Sequence, residues 1–168
     1  FATPPLDLVG LGSPGSYGKQ RSRVRQLPAF SGELPVSVMA EEILTPGEGQ
    51  IRALVTHAGN PVLSTPNGQQ MDRALASLEF MVSIDIYINE TTRHAHFILP
   101  PVSPLERSHM EVGLSPLMVR NAAKWSPALF EAPEDSRQDW QILNELTQRM
   151  SSTNAVQRVA RRGLQLVV

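Results

Sequence analysis

Cysteine is absent from this 168-residue chain, which removes disulfides, thiolate nucleophiles and thiolate-bound iron–sulfur clusters from consideration within it. No apolar run approaches the ~20 residues that span a bilayer. Neither sign of charge dominates: 15 basic side chains stand against 16 acidic ones, a net charge of −1. The molecule as a whole therefore has no field suited to nucleic acid or to a membrane surface. A G-x-S-x-G nucleophile signature is missing, and so is any internal repeat. An initiating Met is lacking too, because the chain opens on Phe1. That is the expectation for an excised or processed piece, and it makes the start uninformative about a leader.

What is present is an ordinary globular composition, 41% apolar and 18% charged, with enough length to bury a core in one domain and to carry an appended arm. Residues 1–35 read as that arm, irregular and rich in Pro and Gly, with Pro4, Pro5, Pro14, Pro28 and Pro35 interrupting any periodicity. The arm contains a decoy. Gly10-Leu11-Gly12-Ser13-Pro14-Gly15 fits G-x-G-x-x-G, but the helix that this fingerprint requires does not follow, since SYGKQRSRVRQ is basic and polar. The basic residues Lys19, Arg21, Arg23 and Arg25 read as a solvated stretch, or as a contact for phosphates or another domain.

The chain is organised around residues 51–106. Ile51–Thr56, Phe80–Ile86 and Phe97–Leu99 are short apolar runs, and the first two are nearly continuous, as in strands buried on both faces. Between the first two, Asn67 is a candidate N-cap and Met71, Leu75 and Leu78 recur at helical spacing. The expectation is strand, helix, parallel strand, with helices on each side of the sheet. Short helices are further expected over Pro35–Leu44 and over Asp135–Met150, the latter with Trp140, Ile142, Leu143 and Leu146 on one face. Met110–Val119 reads as short strands or as a hairpin around Gly113. Residues 153–168 form a tail with Arg158, Arg161 and Arg162, either helical or frayed. The α/β domain then spans residues 36–152.

In open α/β sheets, ligands bind beyond the carboxyl ends of the strands. Those ends are here His57-Ala58-Gly59-Asn60-Pro61 and the stretch from Asp85 through Glu90, Thr91 and Thr92. Gly59 permits close approach of backbone, Asn60 tolerates a left-handed turn, and Pro61 ends the strand. A tight turn leaving a strand has the same chemistry, so the alternative stays open on these residues alone. Asp85, between Ile84 and Ile86, is a charge ending an apolar strand and must find donors in a ligand or a turn. His94 and His96 form H-x-H, but a metal site would need His57 or His109 to converge with them. The plainer reading is polar residues near a strand end.

ALVTHAGNP, then VSIDIYINETTRHAHFILPP with Glu106 following, resembles the molybdopterin oxidoreductases of the dimethyl sulfoxide reductase and formate dehydrogenase superfamily. The family pattern there is a strand running into G-x-N-P, a helix, a strand carrying Asp, then E-T-x-x-A-D and an apolar strand ending in L-P before a Glu. VRNAAKWSPALFEAPEDSRQDWQILNEL is similar to the family's segment ending in a Trp-containing helix. Two positions depart from the pattern: His96 stands where Asp is common, and Ile84 where a polar residue often precedes Asp85.

The resemblance implies a Rossmann-like three-layer α/β domain with a mainly parallel sheet, partial because excised from a larger enzyme. It implies that this domain holds molybdopterin guanine dinucleotide, with molybdenum or tungsten, in a parent catalysing two-electron redox at the metal, formate dehydrogenase-like. His57, Gly59, Asn60 and Pro61 form its first loop, in which Gly59 and Asn60 would face the pyrophosphate. Asp85 would accept from the guanine N1 and N2 hydrogens, Glu90, Thr91 and Thr92 would meet ribose or phosphate, and Glu106 would be structural. No catalytic residue and no metal ligand falls in this chain by that resemblance, and an iron–sulfur cluster would lie elsewhere in the parent. The implied partners are the parent's remaining domains and electron-transfer subunits, without nucleic acid or membrane insertion by this segment, and a cytoplasmic location is favoured. The alternatives are the structural α/β domain of a molybdenum-free relative, such as the large iron–sulfur subunit of respiratory complex I, and a flavodoxin-like module with five strands.

Overall fold

The structure, a computed structural model, describes residues 18–29, 33–111, 118–120 and 122–150. The G-x-G-x-x-G decoy, the turn at Gly113 and the tail from 153 lie outside them. A 3-10 turn, Val36–Val38, leads into α1, Met39–Leu44, and β1 follows at Ala53–His57. Next come α2, Pro61–Ser64, α3, Gly68–Ala76, and β2, Phe80–Ile84. After a 3-10 turn at Thr92–His94 the chain forms β3, Phe97–Ile98. Two short strands, β4, His109–Glu111, and β5, Lys124–Ser126, precede α4, Asp139–Met150. The last helix starts four residues later than Asp135, the earliest start its apolar spacing suggests.

β1, β2 and β3 are parallel neighbours in that order. Ala53 faces Phe80 and His57 faces Ile84 across the first pair, and Val82 faces Phe97 across the second. Strand side chains alternate faces, so this register gathers Leu54, Thr56, Met81, Ser83 and Ile98 on one side. There, Ala40 and Ile43 from α1 and Met71, Ala74 and Leu75 from α3 bury themselves against Met81, with Leu54 packed on the cluster. Thr56 Oγ1 donates to the fully buried Ser83 Oγ at 2.8 Å, which satisfies the two hydroxyls next to that apolar cluster. Asn67 caps α3 as its position suggests, its side chain accepting from the Gln70 N–H.

The other face differs from the expected full burial. Val82 and Ile84 are covered, yet Val55, Phe80 and Phe97 are 45%, 45% and 60% exposed. β1 is an edge strand with alternating exposure, so a continuous apolar run there does not mean burial on both sides.

The basic stretch is not simply solvated. Residues 18–29 fold back on themselves, with Ser22 N donating to Leu27 O and Ala29 N to Gln20 O. Arg23 Nη2 donates to the Thr45 carbonyl at the end of α1, Arg25 pairs with Glu41 at 2.7 Å, and the Val24 N–H reaches the Glu42 carboxylate. Of the anticipated hairpin, β4 is present, but its antiparallel partner is β5, with Met110 opposite Trp125.

Gly68 opens α3 where α2 abuts it. A Cβ there would lie 2.2 Å from the Val62 carbonyl oxygen, so the two helices meet only because this residue has no side chain. Glycine to alanine inside an unencumbered helix stabilises by about 0.5–1 kcal/mol. Gly68→Ala should instead destabilise by about 1–3 kcal/mol through overpacking, read from the urea midpoint. A variant as stable as the parent would show that the helices have room to separate.

Candidate functional site

The parallel register sets the ends of β1 and β2 side by side, and the Ala58 N–H extends the ladder by donating to Ile84 O at 2.9 Å. Gly59 and Asp85 therefore leave the sheet at the same edge. The sharp bend out of β1 is taken by Ala58, with φ of 49°, not by Gly59 or Asn60. Asn60 has φ of −121° and is the N-cap of α2, with Pro61 in its first turn, where a missing N–H costs nothing.

Gly59 thus has no conformational need to be glycine. A Cβ at that position would make only ordinary van der Waals contact, 3.8 Å from the His57 carbonyl oxygen and 4.0 Å from Pro61 Cδ. Among the described residues the backbone N–H groups of Gly59 and Asn60 have no hydrogen-bond partner.

The second loop is fastened to the first by side chains. Asn60 Nδ2 donates to Glu90 Oε2 at 2.8 Å, and its Oδ1 accepts from Thr91 Oγ1 at 2.7 Å. Thr91 Oγ1 also accepts from the Val62 N–H. Asn89 Oδ1 takes the N–H groups of both Thr91 and Thr92, while Thr92 Oγ1 accepts from the Asn89 N–H and donates to Tyr87 O. Thr91 and Thr92 are 0% and 1% exposed. Their hydroxyls are committed inside the loop, so the two residues give the loop its shape and present no hydroxyl to a ligand.

Asp85 is half-buried. Its Oδ1 accepts from the Tyr87 N–H at 3.0 Å and its Oδ2 from Asn89 Nδ2 at 3.4 Å. An ionised carboxylate has about four acceptor positions, so two remain. Glu90 is exposed, and its carboxyl is held below the ordinary glutamate range first by the Asn60 amide and then by its own N–H.

His57, the last residue of β1, points Nε2 at Asp139 Oδ2 at 3.3 Å. Asp139 Oδ1 accepts from Arg107 Nη1 at 2.9 Å and from the Trp140 N–H. The other histidines go elsewhere. His94 Nε2 lies 2.7 Å from Asp72, which Arg93 also engages, and His109 faces Glu111 at 3.8 Å. His96 Nδ1 accepts from the Met81 N–H at 3.1 Å. The His at this position therefore supplies a hydrogen-bond acceptor to the backbone beside β3. Among the described residues no group of three or more metal-ligating side chains converges.

Asn89, Arg107 and Asp139 were not singled out from the sequence. The Asn two residues before a Thr is the pattern of an Asx turn and could have drawn attention to Asn89. Nothing local announces the pairing of Arg107 with Asp139, 32 residues apart.

These loops define a class of fold edge: an α/β domain with two side-chain-linked loops beyond the carboxyl ends of parallel strands, the place where open α/β sheets bind ligands. The family is narrower. A family model described as molybdopterin oxidoreductase matches residues 13–149, and the chain belongs to that family. It is 33% identical over 100 residues to the assimilatory nitrate reductase catalytic subunit of Bacillus subtilis, covering 59% of this chain and 13% of that protein. To the NADPH-Fe(3+) oxidoreductase subunit alpha of Geobacter sulfurreducens it is 27% identical, covering 65% of this chain and 12% of that one. To the F420-dependent formate dehydrogenase 1 subunit alpha of Methanococcus maripaludis it is 26% identical, covering 68% and 16%. The chain thus spans between 12% and 16% of the length of these relatives. No helix among the described residues is long and apolar enough to cross a membrane.

Two tests bear on the loop network. Thr91→Val keeps the shape but leaves the Val62 N–H and the side-chain Oδ1 of Asn60 without their partner, and should cost about 1–3 kcal/mol by urea denaturation. An unchanged midpoint would mean that water replaces the hydroxyl. The Glu90 link has an acid limb: a carboxyl whose folded pKa is depressed contributes fully above the unfolded value of about 4.3 and loses that contribution as pH falls through the folded value. The stability difference between the parent and Glu90→Gln should therefore close on going from pH 7 to pH 3, and a gap that widens toward acid would contradict it.

Proposed function

We propose that the chain is the cofactor-binding domain of a molybdenum- or tungsten-dependent oxidoreductase and holds the guanine dinucleotide end of a molybdopterin cofactor. One observation carries the reading. At the end of β1, two successive backbone N–H groups, Gly59 and Asn60, are without partners among the described residues, and Gly59 puts no side chain beside them. An edge of this kind suits an anion, because backbone donors can approach a phosphate closely where no side chain intervenes. The residues present therefore fit the pyrophosphate of a dinucleotide.

In this reading the roles are distributed by what each side chain has left to offer. Gly59 and Asn60 donate to the pyrophosphate through their backbone, and Asn60 keeps one amide hydrogen beyond the one given to Glu90. Asp85, with two acceptor positions unused, takes the N1 and N2 hydrogens of guanine, an edge that adenine does not present. Glu90 orients Asn60, while Thr91 and Thr92 hold the second loop in register with the first. Pro61 fixes the exit of the first loop. The cofactor, when bound, supplies the metal at which the parent protein transfers two electrons. The relatives' printed names, a nitrate reductase catalytic subunit and a formate dehydrogenase subunit alpha, support an oxidoreductase parent with further subunits as partners. The exposed apolar run Ile86-Tyr87-Ile88 beyond Asp85 suits contact with the cofactor or with the parent's remaining domains.

Charge-assisted hydrogen bonds to a carboxylate are worth about 1.5–3 kcal/mol each. Asp85→Asn satisfies one guanine donor and opposes the other with its own NH2. In the full-length protein it should weaken cofactor binding about tenfold or more, read as lowered molybdenum and released guanine nucleotide per mole, with the fold unchanged. Normal cofactor content would refute the assignment of Asp85. Lost thermal stability with normal content per folded molecule would make it a turn residue only.

A further inference from the structure

α3 begins at a pair of residues that two separate demands of the fold have set side by side. Asn67 is the N-cap, in left-handed backbone with φ of 58° and ψ of 60°, a conformation that Asn tolerates better than most residues. Its Oδ1 accepts from the Gln70 N–H at 3.3 Å, and its Nδ2 donates to Gln70 Oε1 at 3.0 Å. Gly68, the first residue of α3, is glycine for a different reason: α2 leaves no room for a Cβ beside the Val62 carbonyl. Capping and helix packing together therefore write Asn-Gly into the chain.

That pair has chemistry of its own. Asparagine is a labile side chain, and a following glycine leaves the next amide nitrogen unshielded and the backbone free to turn. The Gly68 nitrogen attacks Asn67 Cγ, the Cγ–Nδ2 bond breaks, and Nδ2 leaves as ammonia with the proton that the amide gives up. Water then opens the resulting succinimide at one of its two carbonyls. One opening gives aspartate, and the other gives an isoaspartyl link, in which the main chain runs through Cβ and Cγ.

The folded backbone holds this reaction off. Ring closure needs the Gly68 nitrogen and the Asn67 Cβ nearly eclipsed about the Cα–C bond, and in an L-residue a ψ of 60° sets them anti, on opposite sides of it. Attack therefore waits for about half a turn of ψ at Asn67. Such a turn unseats the cap and the Asn67 carbonyl, which accepts from the Gln70 N–H at 3.0 Å and from the Met71 N–H at 3.1 Å. Asn67 is exposed and Gly68 half-buried, so solvent already reaches the bond once the turn opens.

We infer that Asn67-Gly68 is a deamidation site gated by local opening of the first turn of α3, and that the fold accepts only one of its two products. Aspartate is as good an N-cap as asparagine and leaves the main chain as it was. The isoaspartyl link adds a methylene to the main chain where Gly68 abuts α2. It drives Gly68 against the Val62 carbonyl or off the helix, and Val62 is the residue whose N–H is held by Thr91 Oγ1.

The test follows residue 67 by peptide mass spectrometry, with isoaspartate told apart by fragmentation, in the 168-residue chain kept in mildly alkaline buffer with and without guanidinium chloride. The folded chain should deamidate at least about tenfold more slowly than the unfolded one. Gln70→Pro, which has no N–H to give Asn67, should raise the folded rate about fivefold and leave the unfolded rate alone. Gln70→Ala, which keeps the N–H and loses only the side-chain partner of Nδ2, should raise it about twofold and serves where the proline variant does not fold. Val82→Ala, buried on the other face of the sheet, should raise it less than the Gln70 variants do. Asn67→Asp should melt with the parent, and the purified isoaspartyl chain should melt lower. Equal rates in folded and unfolded chains, no acceleration by the Gln70 variants, or as large an acceleration by Val82→Ala overturns the local gate. An isoaspartyl chain as stable as the parent overturns the selection between products.

Discussion

The parallel pairing of β1 with β2 is the constraint on which the rest depends. Five consecutive residue pairs, from Ala53 with Phe80 to His57 with Ile84, fix it, and a slip of one residue would turn Met81 away from the helices. The same register that buries Met81 under α1 and α3 also decides where the chain leaves the sheet. Gly59 and Asp85 come to one edge because Leu54 and Met81 come to one core, so packing and site placement are a single choice.

Across that edge the two loops hold each other. Asn60 reaches Glu90 and Thr91, Thr91 reaches back to Val62, and Asn89 fastens Thr91, Thr92 and Asp85. A loop built on side chains that are already satisfied retains its shape before any ligand arrives, which lowers the ordering cost of binding. The backbone donors at Gly59 and Asn60 and the remaining acceptor positions of Asp85 are what such a frame leaves over for a partner.

Much of this was legible because it is local. Met71 and Leu75 behind an Asn67 cap state a helix, although Leu78, at the same spacing, lies beyond its end at Ala76 and joins the core from the following turn; the apolar runs ending in Gly-Asn-Pro and in Asp-containing sequence state strands with a common edge. The exposure of Val55 and Phe80 was not legible, since an apolar run in an edge strand has the same composition as one in the middle of a sheet. The left-handed residue was misplaced for a comparable reason: Gly59 and Asn60 are the residue types that tolerate the conformation, and Ala58 adopts it. Thr91 and Thr92 read as polar and available, yet their burial is decided by Asn60 and Asn89, which the backbone brings to them. The pairings of Arg107 with Asp139 and of β4 with β5 depend on long-range register, which no local pattern encodes.

The uncovered side of the sheet governs how this domain behaves when it is handled alone. Val55, Phe80 and Phe97 present apolar surface there, and among the described residues β1 and β3 each have one flank without a neighbouring strand. Unpaired strand edges beside exposed aromatic rings template association with further strands. Self-association through these edges would compete with a binding equilibrium measured on the free domain and make dilution a variable of that measurement.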